Sequence, residues 1–263
     1  ENIGLDRRIS LSILSMPSIR KSFNRLILVL FYLTAFLSMW VSNTATTAMM
    51  LPIVIGILSS LGIKDKKTKI ALLLGVAYSA SIGGLGSPVG SPPNIIAIGL
   101  LRELKGIEIA FYQWLFYGIP FVIVFILILN YFMKIMITVE TKVDKDFIQT
   151  ELSKLGQIKF KEKVLVLLFI LLIAAWFLPG IVHAIFNNDI TSYIKSTFNT
   201  GVVGAFFACL LFMIPFKNDS YILEPKDFKQ IDWGALFLFG AGLSLGKTLF
   251  ATGLADLAGK FVI

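Results

Sequence analysis

The feature that most constrains this chain is a series of long uncharged apolar runs, each interrupted by a short polar stretch. Residues 26–41 and 45–63 contain no Asp, Glu, Lys, Arg or His, and Ser42-Asn43-Thr44 separates them. In lipid, unpaired polar groups are costly, so such a cluster is expected to bind something or to line a cavity. We therefore interpret the rest of the chain around this polar stretch.

The composition predicts a polytopic membrane protein. Of the 263 residues, 56% are apolar and 15% are charged, whereas soluble domains carry about 25% charged residues. The net charge of +8 does not indicate nucleic-acid binding, because the Lys and Arg residues lie almost wholly between the apolar runs and instead predict topology. Cys209 is the only cysteine, which excludes an internal disulfide and a cysteine-based metal cluster.

The first polar stretch fits the tip of a re-entrant helical hairpin at 26–63. A helix over 26–41 would be about 24 Å long, short of the ~30 Å hydrocarbon core, and Pro52 and Gly56 interrupt the second arm. Basic clusters flank the pair on both sides, so the chain is expected to enter and return. Two full spans joined by a polar turn are the alternative, and charge parity does not separate the two.

The second decisive stretch lies within the uncharged run 70–101. Residues 83–94 contain four glycines and three prolines, which cannot continue a helix. A discontinuous transmembrane helix is predicted here, with free carbonyls on one half suited to a cation and free N–H groups on the other suited to an anion. An external loop is the alternative, but it would leave both halves short.

Charge parity supports one orientation of the chain. If residues 1–25 are cytoplasmic, the predicted inside segments carry 19 Lys and Arg residues and the outside segments carry 3. Residues 2–7 also weakly echo residues 251–256, and an odd number of predicted crossings between them would invert the second copy. Coincidence is the alternative, because only two positions are identical.

The chemistry of the two interruptions favours sodium over protons. Neither contains the Asp, Glu or His that proton coupling usually needs. Hydroxyls, an Asn carbonyl and backbone carbonyls are hard neutral oxygens that suit Na⁺, and N–H groups at helix N-termini suit an anion. A neutral shell that binds both predicts symport. We do not expect an enzyme: the G-x-S-x-G pattern at 242–246 lies in a predicted span, where helix packing explains it better.

At these residues the chain resembles the divalent anion/sodium symporter family, which includes sodium-dependent dicarboxylate transporters. The resemblance rests on the string Ser38-Met39-Trp40-Val41-Ser42-Asn43-Thr44-Ala45-Thr46 and on Gly90-Ser91-Pro92-Pro93-Asn94. It implies an all-α polytopic membrane protein with an inverted repeat, a re-entrant helical hairpin, a discontinuous transmembrane helix, and an elevator-like transport domain beside a scaffold. A homodimer in the plasma membrane, in a bacterium its inner membrane, is also implied.

The resemblance also implies roles for particular residues. The implied sodium ligands are Ser38, Ser42, Asn43 and the Gly90 carbonyl, and the implied substrate contacts are Ser42, Asn43, Thr44, Ser91 and Pro92. For Ser38, a hydroxyl bonded to its own helix is the alternative. Na⁺ is the implied coupling ion with no other cofactor, and the implied partners are a dicarboxylate anion and membrane lipid, without nucleic acid.

The resulting organisation has five parts. We expect an amphipathic surface helix at 1–25, the hairpin at 26–63, the rest of the first transport region at 64–133 with its broken helix at 83–94, a cytoplasmic connection at 134–163, and the start of the second repeat with scaffold-type spans at 164–263. For 1–25 an ordinary connecting helix is the alternative. The family pattern needs a second Ser-Asn-Thr tip, which these residues lack, so we expect a fragment holding one sodium site and half a substrate site.

The leading functional hypothesis is sodium-coupled symport of a di- or tricarboxylate such as succinate, malate or fumarate. A sodium-independent anion transporter or exporter of similar architecture is the second hypothesis. The third is a membrane scaffold in which the interruptions serve helix packing.

Overall fold

The computed structural model describes residues 4–19, 21–137, 145–186, 200–216, 220–231 and 233–255, together with 257 and 260. The described chain is almost entirely helical. Its helices are α1 (Leu5–Leu14), α2 (Phe23–Ser38), α3 (Asn43–Ser60), α4 (Lys66–Gly84), α5 (Pro92–Lys105), α6 (Phe111–Met136), α7 (Lys145–Lys154), α8 (Phe160–Phe186), α9 (Thr200–Met213) and α10 (Trp233–Ala251). A two-residue antiparallel pair, β1 (Pro215–Phe216) and β2 (Ser220–Tyr221), and a 3₁₀ turn (Pro225–Gln230) precede α10.

Helices α2, α3, α4 and α6 form the main packed unit. α2 lies at its centre, with Leu30 and Phe31 almost fully buried, and α6 contributes Ile126 from the other side. α4 approaches α2 closely because Gly75 faces the Phe31 ring, where a Cβ would clash. Short-range signals set the helix starts: the Asp65 carboxylate accepts a hydrogen bond from the Thr68 amide at 2.7 Å and so caps the first turn of α4.

A second, aromatic cluster joins this unit to α8 and α9. Phe111 at the start of α6 packs against Trp176 of α8, with ring centroids 4.5 Å apart and ring planes tilted by 33°. The Trp40 ring centroid lies 6.4 Å from that of Phe111. Trp176 Nε1 donates to the Thr200 carbonyl at 3.1 Å, which links α8 to α9. The turn after α2, which carries the first polar stretch, therefore rests against packed aromatic rings.

An ion pair ties α1 to the corner between α7 and α8. The Arg8 guanidinium lies 3.1 Å from the Glu162 carboxylate, and it also donates to the carbonyls of Leu155 and Gly156 at the end of α7. Glu162 in turn accepts from the Lys159 amide at the start of α8. Arg8 and Glu162 are both buried, so this ion pair attaches α1 to the rest of the packed helices.

The outer faces of the described helices are apolar. Within the part of the chain that the structure describes, three helices are long and apolar enough to cross a membrane: Asn43–Ser60, Phe111–Met136 and Phe160–Val182. On α6 the residues Phe116 and Tyr117 are 73% and 75% exposed, as expected for positions that contact lipid. The all-α polytopic class is therefore confirmed. The echo between residues 2–7 and 251–256 rests partly on residues 2, 3 and 256, which lie outside the described residues.

Candidate functional site

The first polar stretch forms the turn between α2 and α3. Ser42 is the N-cap of α3, and its Oγ accepts from the Ala45 amide at 3.3 Å. Ser38, in the last turn of α2, donates its hydroxyl proton to Asn43 Oδ1 at 2.7 Å. This bond reaches across the turn, whereas Thr34 one turn earlier donates to the Leu30 carbonyl of its own helix.

The second stretch separates α4, which ends at Gly84, from α5, which begins at Pro92. The loop between them is held by two buried side chains. Ser87 Oγ donates to the Met39 carbonyl and accepts from the Gly90 amide at 3.0 Å. Asn94 Nδ2 donates to the carbonyls of Gly84 and Ser87, each at 2.8 Å.

The two interruptions meet at Gly84 and Gly90. A Cβ on Gly90 would lie 2.8 Å from the Gly84 carbonyl oxygen and 3.0 Å from the carbonyl oxygens of both Ser38 and Met39. A Cβ on Gly84 would collide with Asn43 Oδ1. Glycine at both positions therefore permits a close approach that a larger residue would prevent. The result is a compact group of neutral oxygen atoms between the end of α2, the start of α3 and the broken helix.

Burial changes across this group. Ser38 and Ser87 are 0% exposed and Asn94 is 4% exposed. Asn43 and Ser91 are partly buried, and Gly90 is buried. The residues that face outward are Ser42, Thr44 and Pro92. The candidate site thus has a buried inner side suited to a cation and an exposed outer side that a larger ligand can reach.

The structure therefore brings together only part of the residue set inferred from the sequence. Ser38, Asn43 and Gly90 converge on the inner side, while Ser42 and Thr44 occupy the exposed first turn of α3. Ser91 is the N-cap of α5 and Pro92 its first residue, directly after the converging Gly90.

The two helix N-termini differ in what they offer an anion. α3 begins with Asn43 and Thr44, whose backbone N–H groups lie in the first helical turn. α5 begins with Pro92 and Pro93, which have no N–H to donate. Among groups at these two helix starts, α3 supplies the amide donors, while α5 adds chiefly the Ser91 hydroxyl.

Sequence reasoning missed the side chains that hold the group together. Ser87 and Asn94 were not predicted as ligands, yet both are buried and hydrogen-bonded to backbone. Ser87 joins its loop to the turn after α2, 48 residues away. Thr46 was also missed as a buried group: its Oγ1 has no hydrogen-bond partner among the described residues. A polar residue inside a Gly- and Pro-rich break of an apolar run was the only available signal.

Other chemistry is not favoured by the described residues. No group of three or more His, Cys, Asp or Glu side chains in the described part of the chain is placed to hold a metal ion. The G-x-S-x-G pattern lies inside α10, where the Ser244 carbonyl accepts from the Thr248 hydroxyl, and not on a strand-to-helix turn.

Comparison with known proteins identifies relatives along the whole chain. The family model described as citrate transporter matches residues 1–263. The sodium-dependent dicarboxylate transporter SdcS of Staphylococcus saprophyticus is 34% identical over 99% of this chain and 52% of the relative. Its namesake in Staphylococcus aureus strain USA300 is 32% identical over the same shares. The chain thus spans about half the length of these curated relatives.

Proposed function

The chain belongs to the citrate transporter family, and we propose that it contributes one sodium site and half a carboxylate site to a sodium-coupled transporter. The family recognition made from the two motifs is confirmed, and the chain is a multi-pass plasma-membrane protein. The family and the relatives named here are transporters, which supports transport rather than catalysis.

The observation that carries the proposal is the meeting of the two interruptions. Ser38 Oγ and Asn43 Oδ1 lie 2.7 Å apart beside a glycine flanked by the carbonyls of Ser38, Met39 and Gly84. These are neutral oxygens in a buried setting, a donor set that suits a monovalent hard cation. The proposed sodium ligands are Ser38, Ser42, Asn43 and the Gly90 carbonyl.

The substrate is proposed to be a di- or tricarboxylate that reaches the exposed side of the same turn. Ser42, Asn43 and Thr44 at the start of α3 present hydroxyl, amide and backbone N–H donors, and Ser91 and Pro92 border them in our proposal. A cation bound on the buried side would lower the cost of placing a carboxylate nearby, because opposite charges attract strongly where water is scarce. That attraction is the physical basis for symport.

The architecture in which this operates is also proposed. α2 and α3 form the arms of a re-entrant hairpin with Ser42-Asn43-Thr44 at its tip, and α4 and α5 form a discontinuous transmembrane helix. An inverted second repeat would supply the other half of the substrate site, and the whole protein would act as a homodimer with an elevator-like transport domain.

Uptake by the full-length protein in proteoliposomes tests this function. Labelled succinate should accumulate when a sodium gradient points inward, and replacing Na⁺ by K⁺ should abolish accumulation. Uptake that is unaffected by the replacement would instead favour a sodium-independent anion transporter of the same architecture. Absence of uptake for succinate, malate, fumarate and citrate under every ion gradient would favour a membrane scaffold.

A further inference from the structure

The loop between α4 and α5 contains two side chains that the proposed function does not use as ligands. Ser87 and Asn94 lie in or beside the broken helix, are 0% and 4% exposed, and together make four hydrogen bonds. Every partner of these bonds is a backbone group. Buried polar side chains in an apolar setting are costly unless their bonds accomplish something.

Ser87 joins the two interruptions directly. Its hydroxyl donates to the Met39 carbonyl in the turn after α2, 48 residues away, and accepts from the Gly90 amide in its own loop. A single oxygen atom therefore fixes the distance between the end of α2 and the glycine that packs against it. Because the serine side chain is short, the distance between the Met39 carbonyl and the Gly90 amide can vary little.

Asn94 fixes the other side of the loop. Its amide nitrogen donates to the Gly84 carbonyl at the end of α4 and to the Ser87 carbonyl in the middle of the loop. Gly84 is the residue whose Cα faces Asn43 Oδ1, so Asn94 holds the backbone that lies against the proposed cation ligand. The first turn of α5 and the end of α4 are thereby locked to each other.

From this geometry we propose that Ser87 and Asn94 are positioning residues that set sodium affinity by holding Gly90 and Gly84 against Ser38 and Asn43. The inference rests on the proposed sodium site. Cation ligands must be placed within about 0.5 Å of their productive positions, and side chains that orient ligands typically change metal affinity about 10- to 100-fold when removed. Neither side chain needs to touch the ion for this role.

Ser79 provides a matched control. It is a serine in α4, is also 0% exposed, and donates its hydroxyl to the Gly75 carbonyl of its own helix at 2.6 Å. Ser79→Ala and Ser87→Ala remove the same atom from the same degree of burial. Only Ser87→Ala removes a link between the two interruptions.

The experiment measures the sodium concentration for half-maximal succinate uptake and the KM for succinate, using full-length protein in proteoliposomes. Ser87→Ala should raise the half-saturating sodium concentration about 10- to 100-fold. At sodium concentrations well above each variant's half-saturation, the KM for succinate should change less than about threefold, because the exposed donors at the start of α3 are untouched. Ser79→Ala should match the unmodified protein in both values.

Asn94→Leu is the second variant, since it keeps side-chain volume while removing both N–H donors. It should shift the sodium dependence in the same direction. In detergent, sodium should raise the Tm of Ser87→Ala and Asn94→Leu less than it raises the Tm of Ser79→Ala and of the unmodified protein. This measurement does not require transport.

Several results would overturn the positioning role. They are an equal shift of sodium half-saturation and substrate KM, an unchanged sodium dependence in both variants, or an equal shift in Ser79→Ala. If neither Ser87→Ala nor Asn94→Leu accumulates in the membrane while Ser79→Ala does, the two side chains are structural and the proposal fails. If succinate uptake by the unmodified protein does not depend on sodium, the result counts against the proposed function itself.

Discussion

The two interruptions of the apolar runs are built in different ways. The turn between α2 and α3 is held mainly by local bonds: Ser42 caps α3, and Ser38 reaches Asn43 five residues on. The loop between α4 and α5 is held by Ser87 and Asn94, whose bonds tie it to α2, to α4 and to itself. The first interruption has polar side chains exposed at Ser42 and Thr44, whereas in the second the buried side chains of Ser87 and Asn94 are hydrogen-bonded to backbone.

This difference indicates a division of labour. A group that binds and releases a ligand needs lone pairs or protons that are free to exchange partners, as at the start of α3. A group whose bonds are all to buried backbone cannot exchange partners without opening the fold. We therefore expect the first turn to supply most of the side-chain ligand contacts. In the second loop, Ser87 and Asn94 hold the backbone in place, and the Gly90 carbonyl, Ser91 and Pro92 add the remaining proposed contacts.

The largest effect is expected for Asn43→Ala. Asn43 belongs to both proposed sites, and its Oδ1 is the acceptor of the Ser38 hydroxyl. Removing its amide should lower succinate uptake by about 100-fold or more, since a cation ligand and a substrate contact are lost together. Initial uptake rates in proteoliposomes measure this.

Asn130→Ala is its control. Asn130 is buried in α6, 6% exposed, and its Oδ1 has no hydrogen-bond partner among the described residues. It should retain most uptake. Near-normal transport by Asn43→Ala would show that Asn43 binds neither sodium nor substrate. The proposal that the first interruption supplies the ligand contacts would then fail.

A smaller but still large effect is expected for Gly90→Ala. A Cβ here would meet three backbone carbonyl oxygens at 2.8 to 3.0 Å, and backbone cannot move aside as a flexible side chain can. The half-saturating sodium concentration should rise by about tenfold or more. Gly99→Ala is the matched control, because nothing lies within 4 Å of a Cβ at that glycine of α5. Equal sodium dependence in the two variants would show that the meeting of the interruptions does not shape the cation site.

Ser42→Ala tests the exposed side and should have a moderate effect. Ser42 faces outward and caps α3 through a 3.3 Å bond from the Ala45 amide. Loss of the cap costs about 1 kcal/mol of helix stability. Because Ser42 is assigned to both proposed sites, the half-saturating sodium concentration and the KM for succinate should both rise, each by about tenfold or less.

Ser60→Ala provides the control at the far end of α3, where the hydroxyl donates to the Ile57 carbonyl. It should leave the KM unchanged. A loss of uptake in Ser42→Ala as complete as that expected for Asn43→Ala would contradict the smaller role that we expect for Ser42 because its side chain faces outward.

Much of this arrangement was accessible from the sequence because lipid restricts the choices. Apolar runs free of charge in a chain of this composition must be helices that satisfy their own backbone, which predicts the all-α class. Four glycines and three prolines between 83 and 94 cannot form continuous helix, and α4 and α5 are separate helices on either side of residues 85–91. The polar residues 42–44 predict the start of α3, because a Ser side chain can accept a hydrogen bond from a free amide in the first turn of a helix.

Other features were beyond sequence reasoning because they depend on distant partners. Nothing local indicates that Ser87 bonds to Met39, or that Arg8 reaches the α7–α8 corner about 150 residues away. The small antiparallel strand pair that follows the helix Thr200–Met213 was also not predicted from the sequence. The exposed or buried state of each hydroxyl is a property of packing, which periodicity does not encode at an uncharged turn.

The smallest effect concerns acid pH, and it separates both interruptions from α7, which packs against α3 at Gly56. Neither interruption contains an ionisable side chain, so its hydrogen bonds should not respond to protons. Glu151 in α7 does respond: a hydrogen bond from Lys154, together with the charges of Lys154 and Arg7, holds the pKa of its carboxyl below the usual range. A carboxyl with a lowered folded-state pKa stabilises the fold above its unfolded-state pKa, and that contribution is lost as pH falls through the folded-state value. Because the ion pairs of Glu151 with Arg7 and Lys154 lie near the surface, the change in the free energy of unfolding should stay below about 1 kcal/mol.

Thermal unfolding of the full-length protein in detergent, followed as pH is lowered, should therefore show a small acid-dependent decrease in Tm that Glu151→Gln reduces. The sodium-dependent rise in Tm should persist in that variant at every pH where the protein stays folded. If Glu151→Gln instead removes the sodium-dependent rise in Tm, sodium binding depends on the contact between α1 and α7 as well as on the two interruptions.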